Sequence, residues 1–356
     1  MSEHFDVVVI GGGPAGAAAA ITAARRGKKV ALLEAGRYPR HKVCGEFVSA
    51  ESLQLLASLL RGTPGTELLE HAPRISKTTV HLPAGRFTAP ISPSAASITR
   101  YELDLALWKA ALASGVDTRD GCGRCKVEER NGHFVVVGDG LALECNCAVY
   151  AIGRRGDLKP AKTTLVGIKA HFRPARTIET VELYFGDRGY CGVQPISGGL
   201  VNVCALVEPE RIRNAGVDRM SAAFDVHQRL NSAGWEQVTE TIATAMCVFA
   251  SPEPVKDGIM CAGDAAGFID PFLGDGISLA LQSGTLAGSV DDPREYEREY
   301  RRRFLPLFRR AARLRRLLHS PSAVQKTALL MMRWPALGAA VVAATRVKSG
   351  DPLRLA

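Results

Sequence analysis

The order of apolar and polar residues divides the chain into elements before any chemistry is considered. Phe5–Ile10 is a short apolar run of the kind that forms a buried strand, and it is cut off by Gly11. An alanine-rich stretch through Arg26 then predicts a helix, and Val30–Leu33 predicts a second buried strand. Between Val116 and Ala151, runs such as HFVVVGDG and LALECNCAVYAIG predict a hairpin or meander returning to a buried strand. Further strands are expected from Thr164 to Val207, then a helix around 217–231 and a strand around 243–249. Near the end, REYRRRFLPLFRRAARLRR sets Phe304, Leu307, Phe308, Ala311 and Leu314 at helical spacing among arginines. A basic amphipathic helix is expected there, kinked at Pro306. The following stretch, 328–347, is apolar but broken by Arg333, Pro335 and Arg346, a poor pattern for crossing a bilayer.

Composition narrows the class. A chain of 356 residues, 46% of them hydrophobic, is enzyme-sized, with ample core for one large or two interlocked domains. The chain passes from MSEHF straight into its first strand, so a cytoplasmic protein is expected. The 9 cysteines then read as reduced thiols, not a disulfide framework. The net charge of +9 is concentrated in the late arginine helix. Its favoured reading is a helical pair packed on the body with a solvated arginine face; the alternative is peripheral contact with the inner face of a membrane. No nucleic-acid module accompanies the charge, so nucleic acid is not an expected partner. Nothing in the sequence sets the oligomeric state.

Candidate chemistry begins at the first turn. Gly11, Gly13 and Gly16 form GxGxxG between a strand and a helix, which with Pro14 and Ala15 suits a pyrophosphate site at a helix N-terminus. Gly11 permits the turn, Gly13 the approach of the ligand, and Gly16 with Ala20 close packing of helix on sheet. Glu34, followed by Ala35 at the end of the second strand, suits the hydroxyls of an adenosine ribose and disfavours a 2′-phosphate. A second segment, AGDAAGFIDPFLGDGISLAL from Ala262 to Leu281, resembles the second flavin-contacting stretch of many FAD enzymes. There Gly263 and Asp264 would meet the ribityl or ribose, and Gly274, Asp275 and Gly276 the flavin ring. A helix from Ile277 would point its positive end at that ring.

The glycine turn, the loop RYPRHKVCGEFVS (37–49) and GDAAGFIDPFLGDG together resemble the geranylgeranyl reductase-like family, within the para-hydroxybenzoate hydroxylase-like FAD-dependent oxidoreductase and monooxygenase superfamily. The resemblance runs over roughly 5–321 and implies an α/β fold: a discontinuous Rossmann-type FAD domain, an inserted, mainly antiparallel β-sheet substrate domain and a C-terminal helical region. The corresponding bounds are 1–163 and 250–290 for the FAD domain, 164–249 for the substrate domain and 291–356 for the helices. The resemblance also implies cofactor contacts from Arg100, at the start of the helix in ITRYELDLAL, and from Arg40, Cys44 and Gly45 in the loop. It makes Cys44 the catalytic candidate, a thiol that donates a proton while the flavin gives hydride; a small packing group in the loop is the plainer reading. Glu46 either orients that loop or is an exposed acid.

Other features are weighed and left aside. Superfamily hydroxylases commonly carry Asp-Gly where this chain reads Arg154-Arg155-Gly156, which weakens the likeness to them and leaves either arginine for a nicotinamide phosphate. No second GxGxxG holds NAD(P)H, so that donor would dock transiently, or a protein would replace it. Trp108, Trp235 and Trp334 stand apart, without the paired tryptophans of flavin halogenases. Cys122, Cys125, Cys145 and Cys147 invite zinc, with Cys145 and Cys147 on one strand face, but small-residue packing is preferred and no metal is assigned. Tyr190 is read as cavity wall, and His171 and His227 receive no role. The expected function is reduction of a carbon–carbon double bond in an isoprenoid or other apolar substrate by hydride from reduced flavin; the expected partner is a small apolar or aromatic substrate. The alternatives are hydroxylation of an aromatic or polyketide-like compound by an FAD-dependent monooxygenase, or a flavoprotein electron-transfer or interaction partner without turnover.

Overall fold

The computed structural model describes residues 3–130, 132–154, 165–186, 189–247, 249–318, 320, 322–331, 335–344 and 346. Arg155 and Trp334 lie outside these. In chain order the first elements are β1 (Glu3–Ile10), α1 (Pro14–Arg25), β2 (Val30–Leu33), β3 (Phe47–Val48), α2 (Ala50–Leu59), α3 (Glu67–His71), β4 (Arg74–Leu82), β5 (Gly85–Ser97) and α4 (Arg100–Ala113). The next are β6 (Asp117–Arg119), β7 (Lys126–Arg130), β8 (His133–Gly138), β9 (Leu141–Tyr150), β10 (Leu165–Arg173), β11 (Val181–Gly186), β12 (Gly189–Pro195) and β13 (Val201–Val207). Two short helices, α5 (Pro209–Asn214) and α6 (Ser221–Phe224), precede β14 (Glu236–Gln237), β15 (Ile242–Cys247), β16 (Val255–Lys256) and β17 (Ile259–Cys261). The chain closes with α7 (Gly276–Ser289), α8 (Pro293–Leu318), α9 (Ser322–Met331) and α10 (Pro335–Ala344).

Two sheets result. The first runs β16-β17-β9-β1-β2-β6, with β17, β9, β1, β2 and β6 mutually parallel and the β7–β8 hairpin extending from β9. The second runs β14-β10-β13-β12-β11-β4-β5-β3, with β15 also on β10, and is antiparallel except where β11 meets β4. It therefore takes in Arg74–Ser97 as well as the stretch between 165 and 247. The expected helix around 217–231 shortens to α6, because Met220, Ala222, Ala223, Val226 and Leu230 fold down as a plug on the sheet rather than as one amphipathic helix.

Helices α1 and α7 cross the face of the first sheet in close contact. Gly284 and Gly288, one turn apart on α7, make this possible: a Cβ would lie 2.0 Å from the Ala15 carbonyl oxygen at the first and 2.3 Å from that of Ala19 at the second. Helix α8 runs through Pro306 and buries the stripe Tyr296, Tyr300, Phe304, Leu307 and Ala311 against the same core. Its apolar face is thus used in packing. Among the described residues no helix is long and apolar enough to cross a membrane.

The cysteines correct one expectation. The β1–β9 ladder skips a pairing between Phe5 and Val7, where Asp6 and Val7 both donate to the Lys29 carbonyl. The side-chain alternation slips there, so Cys145 packs with Val8 and Ile10 on one face while Cys147 packs with Val7 and Val9 on the other. Burial pushes both thiols up to about 12, against the thiolate form that zinc needs. Among the described residues no three His, Cys, Asp or Glu side chains converge as metal ligands.

Candidate active site

A cavity of about 1130 Å³ opens where four parallel strands stop, lined by Ile10, Leu33, Ala151 and Ala262 at the ends of β1, β2, β9 and β17. This is the crevice in which doubly wound sheets receive ligands. Gly11 leaves β1 with φ 106°, a conformation open to glycine, and a Cβ there would sit 2.3 Å from the Ala151 oxygen. Gly13 faces space, with Arg100 Nη2 3.6 Å from an added Cβ, and Pro14 and Ala15 continue the wall. No side chain caps α1 and no acid stands in its first turn, so its leading N–H groups are available to a pyrophosphate. Gly16 lies behind the wall. A Cβ there would strike the Gly11 oxygen at 1.7 Å, so the missing side chain of this glycine serves helix–strand packing.

At the adenosine end, Glu34 and Ala35 line the cavity. The Glu34 carboxylate accepts from the N–H of Gly12 at 2.9 Å and of Gly36 at 3.0 Å, and from Arg40 Nη2 at 2.5 Å. With about four lone-pair positions on a carboxylate, it keeps acceptor capacity for ribose hydroxyls. Arg40 is corrected from contact to support: it pairs with the acid from behind and is not on the wall.

The second segment supplies the opposite wall. Asp264 stands in the turn Gly263–Ala265, whose Gly263 N–H donates to Ser283 Oγ at 2.9 Å. Burial raises the Asp264 carboxyl above its usual range, against the pull of Arg154, Arg100 and Lys42. Gly274 adopts φ 72° and its N–H closes onto the Pro271 carbonyl at 2.9 Å, so it shapes the wall without offering a donor. Gly276 opens α7 with nothing within 4 Å of an added Cβ, and Ile277 follows on the wall. Asp275 is the second correction: it is fully buried off the wall, at the start of α7, where the helix N-terminus and Arg346 both favour a negative charge. Arg346 itself lies over the Phe47 ring at 4.8 Å and donates to the Leu273 carbonyl at 3.3 Å.

The loop carrying Cys44 is held from the second sheet. Glu46 is wholly buried, with φ 61°, and its carboxylate accepts from Lys169 Nζ, from the Arg100 N–H at 2.9 Å and shares a proton contact with His171 Nε2 at 2.9 Å. These cations and donors hold the acid below the usual carboxylate range despite burial. Three alternate loop carbonyls are also captured: Lys42 by Lys169 at 3.2 Å, Cys44 by Asn202 at 2.9 Å and Glu46 by Gln194 at 2.9 Å. Glu46 thus orients the loop, and His171 has a partner that its sequence neighbourhood did not show. The one signal in the sequence is Lys169 and His171 at alternate positions of β10, opposite the face that buries Ile168, Ala170 and Phe172. Cys44 is half-buried on the wall with Gly45, its sulfur accepting from the Glu46 N–H at 3.3 Å and standing beside Arg100. Arg100 is locked by two bonds to the buried Asp104, at 2.6 and 2.7 Å.

Beyond Cys44 the cavity continues as an apolar chamber between Val80, Leu82 and Phe87 on one side and Leu314, Leu317 and Val341 on the other. Tyr190 is part of its wall. The hydroxyl donates to Asp270 Oδ1 at 2.8 Å and accepts from the Phe272 N–H at 3.1 Å, while Arg315 Nε holds Asp270 Oδ2 at 2.6 Å. Arg154 also lines the cavity, donating to Thr244 Oγ1 at 3.0 Å.

Comparisons with known proteins agree with this geometry. The family described as FAD dependent oxidoreductase matches residues 6–49. The menaquinone reductase of Mycolicibacterium smegmatis is 29% identical, over 94% of this chain and 89% of its own. Digeranylgeranylglycerophospholipid reductase 2 of Methanothermobacter thermautotrophicus is 28% identical, over 80% and 77%. Among solved structures, a flavin-dependent brominase superposes with TM-score 0.79 at 20% identity, covering 96% of this chain and 93% of that one. A geranylgeranyl bacteriochlorophyll reductase-like protein of Thermoplasma acidophilum gives 0.75 at 18%, covering 94% and 92%. These likenesses bear out the expected fold and, with the nucleotide crevice, the expected FAD-dependent oxidoreductase, and the chain is similar to proteins named as geranylgeranyl reductase-like.

Proposed function

We propose that this flavoenzyme reduces a carbon–carbon double bond in an isoprenoid or similarly apolar substrate. One observation supports the reading above others: the cofactor crevice and the apolar chamber are a single cavity, so a long apolar chain reaches the same walls that carry Cys44 and Asp264. The relatives named for menaquinone and digeranylgeranylglycerophospholipid act, by those names, on lipids. Bound, reduced FAD supplies hydride to one carbon. Cys44 gives its S–H proton to the other, leaving a thiolate beside Arg100 that takes up a proton from solvent after product leaves. The apolar walls exclude water from the reacting bond. NAD(P)H is the proposed transient reductant. The arginines of α8, with exposed Val324, Leu330 and Leu337 on α9 and α10, offer peripheral contact with an anionic lipid surface, from which such a substrate comes.

The test is an anaerobic incubation of the reduced holoenzyme with a geranylgeranyl lipid, followed by mass analysis. A product heavier by two hydrogens supports the proposal; an unchanged lipid, or one that gains oxygen only when air is admitted, refutes it. Cosedimentation with anionic but not neutral vesicles supports the lipid contact, and equal recovery with both refutes it.

A further inference from the structure

Buried ion pairs contribute little net stability, because desolvation offsets the attraction, so a wholly buried carboxylate with two basic partners calls for another account. Glu46 sits where three elements meet: the Cys44 loop, the first N–H of α4 and the polar face of β10. It holds its left-handed backbone although it is not glycine, and the carbonyls on either side of Cys44 along the loop are gripped by Lys169 and Gln194. Arg100, paired with Asp104, stands beside the Cys44 sulfur, and Glu46 next along the loop holds Lys169 and His171 on its carboxylate and donates its own N–H to that sulfur. We propose that Glu46 is a positioning residue: it fixes Cys44 on the cavity wall and balances the buried charge of Lys169 close to the thiol's loop. This rests on the reading of Cys44 as proton donor, since a thiol that must lose and regain a proton in each cycle needs a fixed place and a moderated field. The pair Glu46 and Lys169 then acts on the thiol with opposite signs. Loss of the acid leaves cations that favour the thiolate; loss of the lysine leaves the acid, which opposes it.

The experiment measures alkylation of Cys44 by iodoacetamide in the FAD-loaded protein, without lipid, by peptide mass analysis, in Glu46→Gln and Lys169→Met. Alkylation faster in the first and slower in the second, each on the order of fivefold near neutral pH, is the expected result. Changes of the same sign in both variants, as a merely loosened loop gives, overturn the proposal, as do unchanged rates. Should either variant fail to fold, the double variant Glu46→Gln/Lys169→Met removes the net charge change; its rate lying between those of wild type and the folded single variant supports the proposal, and a rate beyond that of the single variant overturns it. Lipid reduction is assayed separately, so a protein that shows the alkylation pattern yet reduces no lipid refutes the proposed reaction and leaves the placement of Glu46 standing.

Discussion

Gly284→Ala tests whether the two helix N-termini of the cofactor crevice are set by the contact between their helices. The new Cβ would lie 2.0 Å from the Ala15 oxygen and 2.8 Å from its carbonyl carbon, whereas ordinary contact begins at 3.4 Å, so the helices must part by more than 1 Å. Both obstructing atoms are backbone of α1, one residue past its first, and no rotamer change relieves them. Overpacking of one methyl costs about 1–3 kcal/mol, and backbone obstruction puts this site at the upper end. The same displacement moves the start of α1 away from Gly276, where α7 begins, so FAD affinity is expected to fall at least roughly tenfold, about 1.4 kcal/mol. Thermal unfolding of the apoprotein and quenching of flavin fluorescence on titration read the two effects. Gly276→Ala is the control: its Cβ meets no protein atom within 4 Å, so it is expected to keep the unfolding temperature while lowering FAD affinity. A Gly284→Ala protein whose melting temperature and FAD affinity both match wild type would refute the reasoning.

Cys44→Ser and Cys44→Ala are expected to retain FAD and lose about a hundredfold or more in lipid reduction, the usual scale of a lost proton donor; full turnover in both removes the catalytic role. Glu46 has its folded value lowered, so the stability it gives is fully present above the ordinary glutamate value of about 4.3 and is lost as pH falls through the lowered one. The stability difference between wild type and Glu46→Gln, from urea midpoints, should therefore shrink on acidification below that value; a difference that is constant or grows contradicts the sign. Tyr190→Phe leaves Asp270 Oδ1 and the Phe272 N–H without this hydroxyl in a buried site, at a cost of about 1–3 kcal/mol. Unchanged stability there means that the hydroxyl is not a structural tie.

What was legible in the sequence is what is encoded locally. GxGxxG, the acid at Glu34 and the arginine-flanked stripe of α8 follow from spacing along one strand or helix, and all three lie where spacing puts them. Glu46 could not be resolved this way, since its partners Lys169 and His171 stand 123 and 125 residues away on β10. The faces of Cys145 and Cys147 were misread because strict alternation along β9 puts both on one side, whereas the two pack in different clusters. Arg40 lies in the loop expected to meet the cofactor, yet its side chain pairs with Glu34.

The grip on the Cys44 loop also orders events during synthesis. The loop leaves the ribosome early, but the side chains that shape it belong to β10, β12 and β13, ending at Val207, and the second helix terminus of the crevice requires α7, which ends at Ser289. A nascent chain that has made only the glycine turn and Glu34 owns a nucleotide-binding strand and helix without a redox site. Completion of the cavity is therefore a late event, since its walls come from both sheets and from the start of α7.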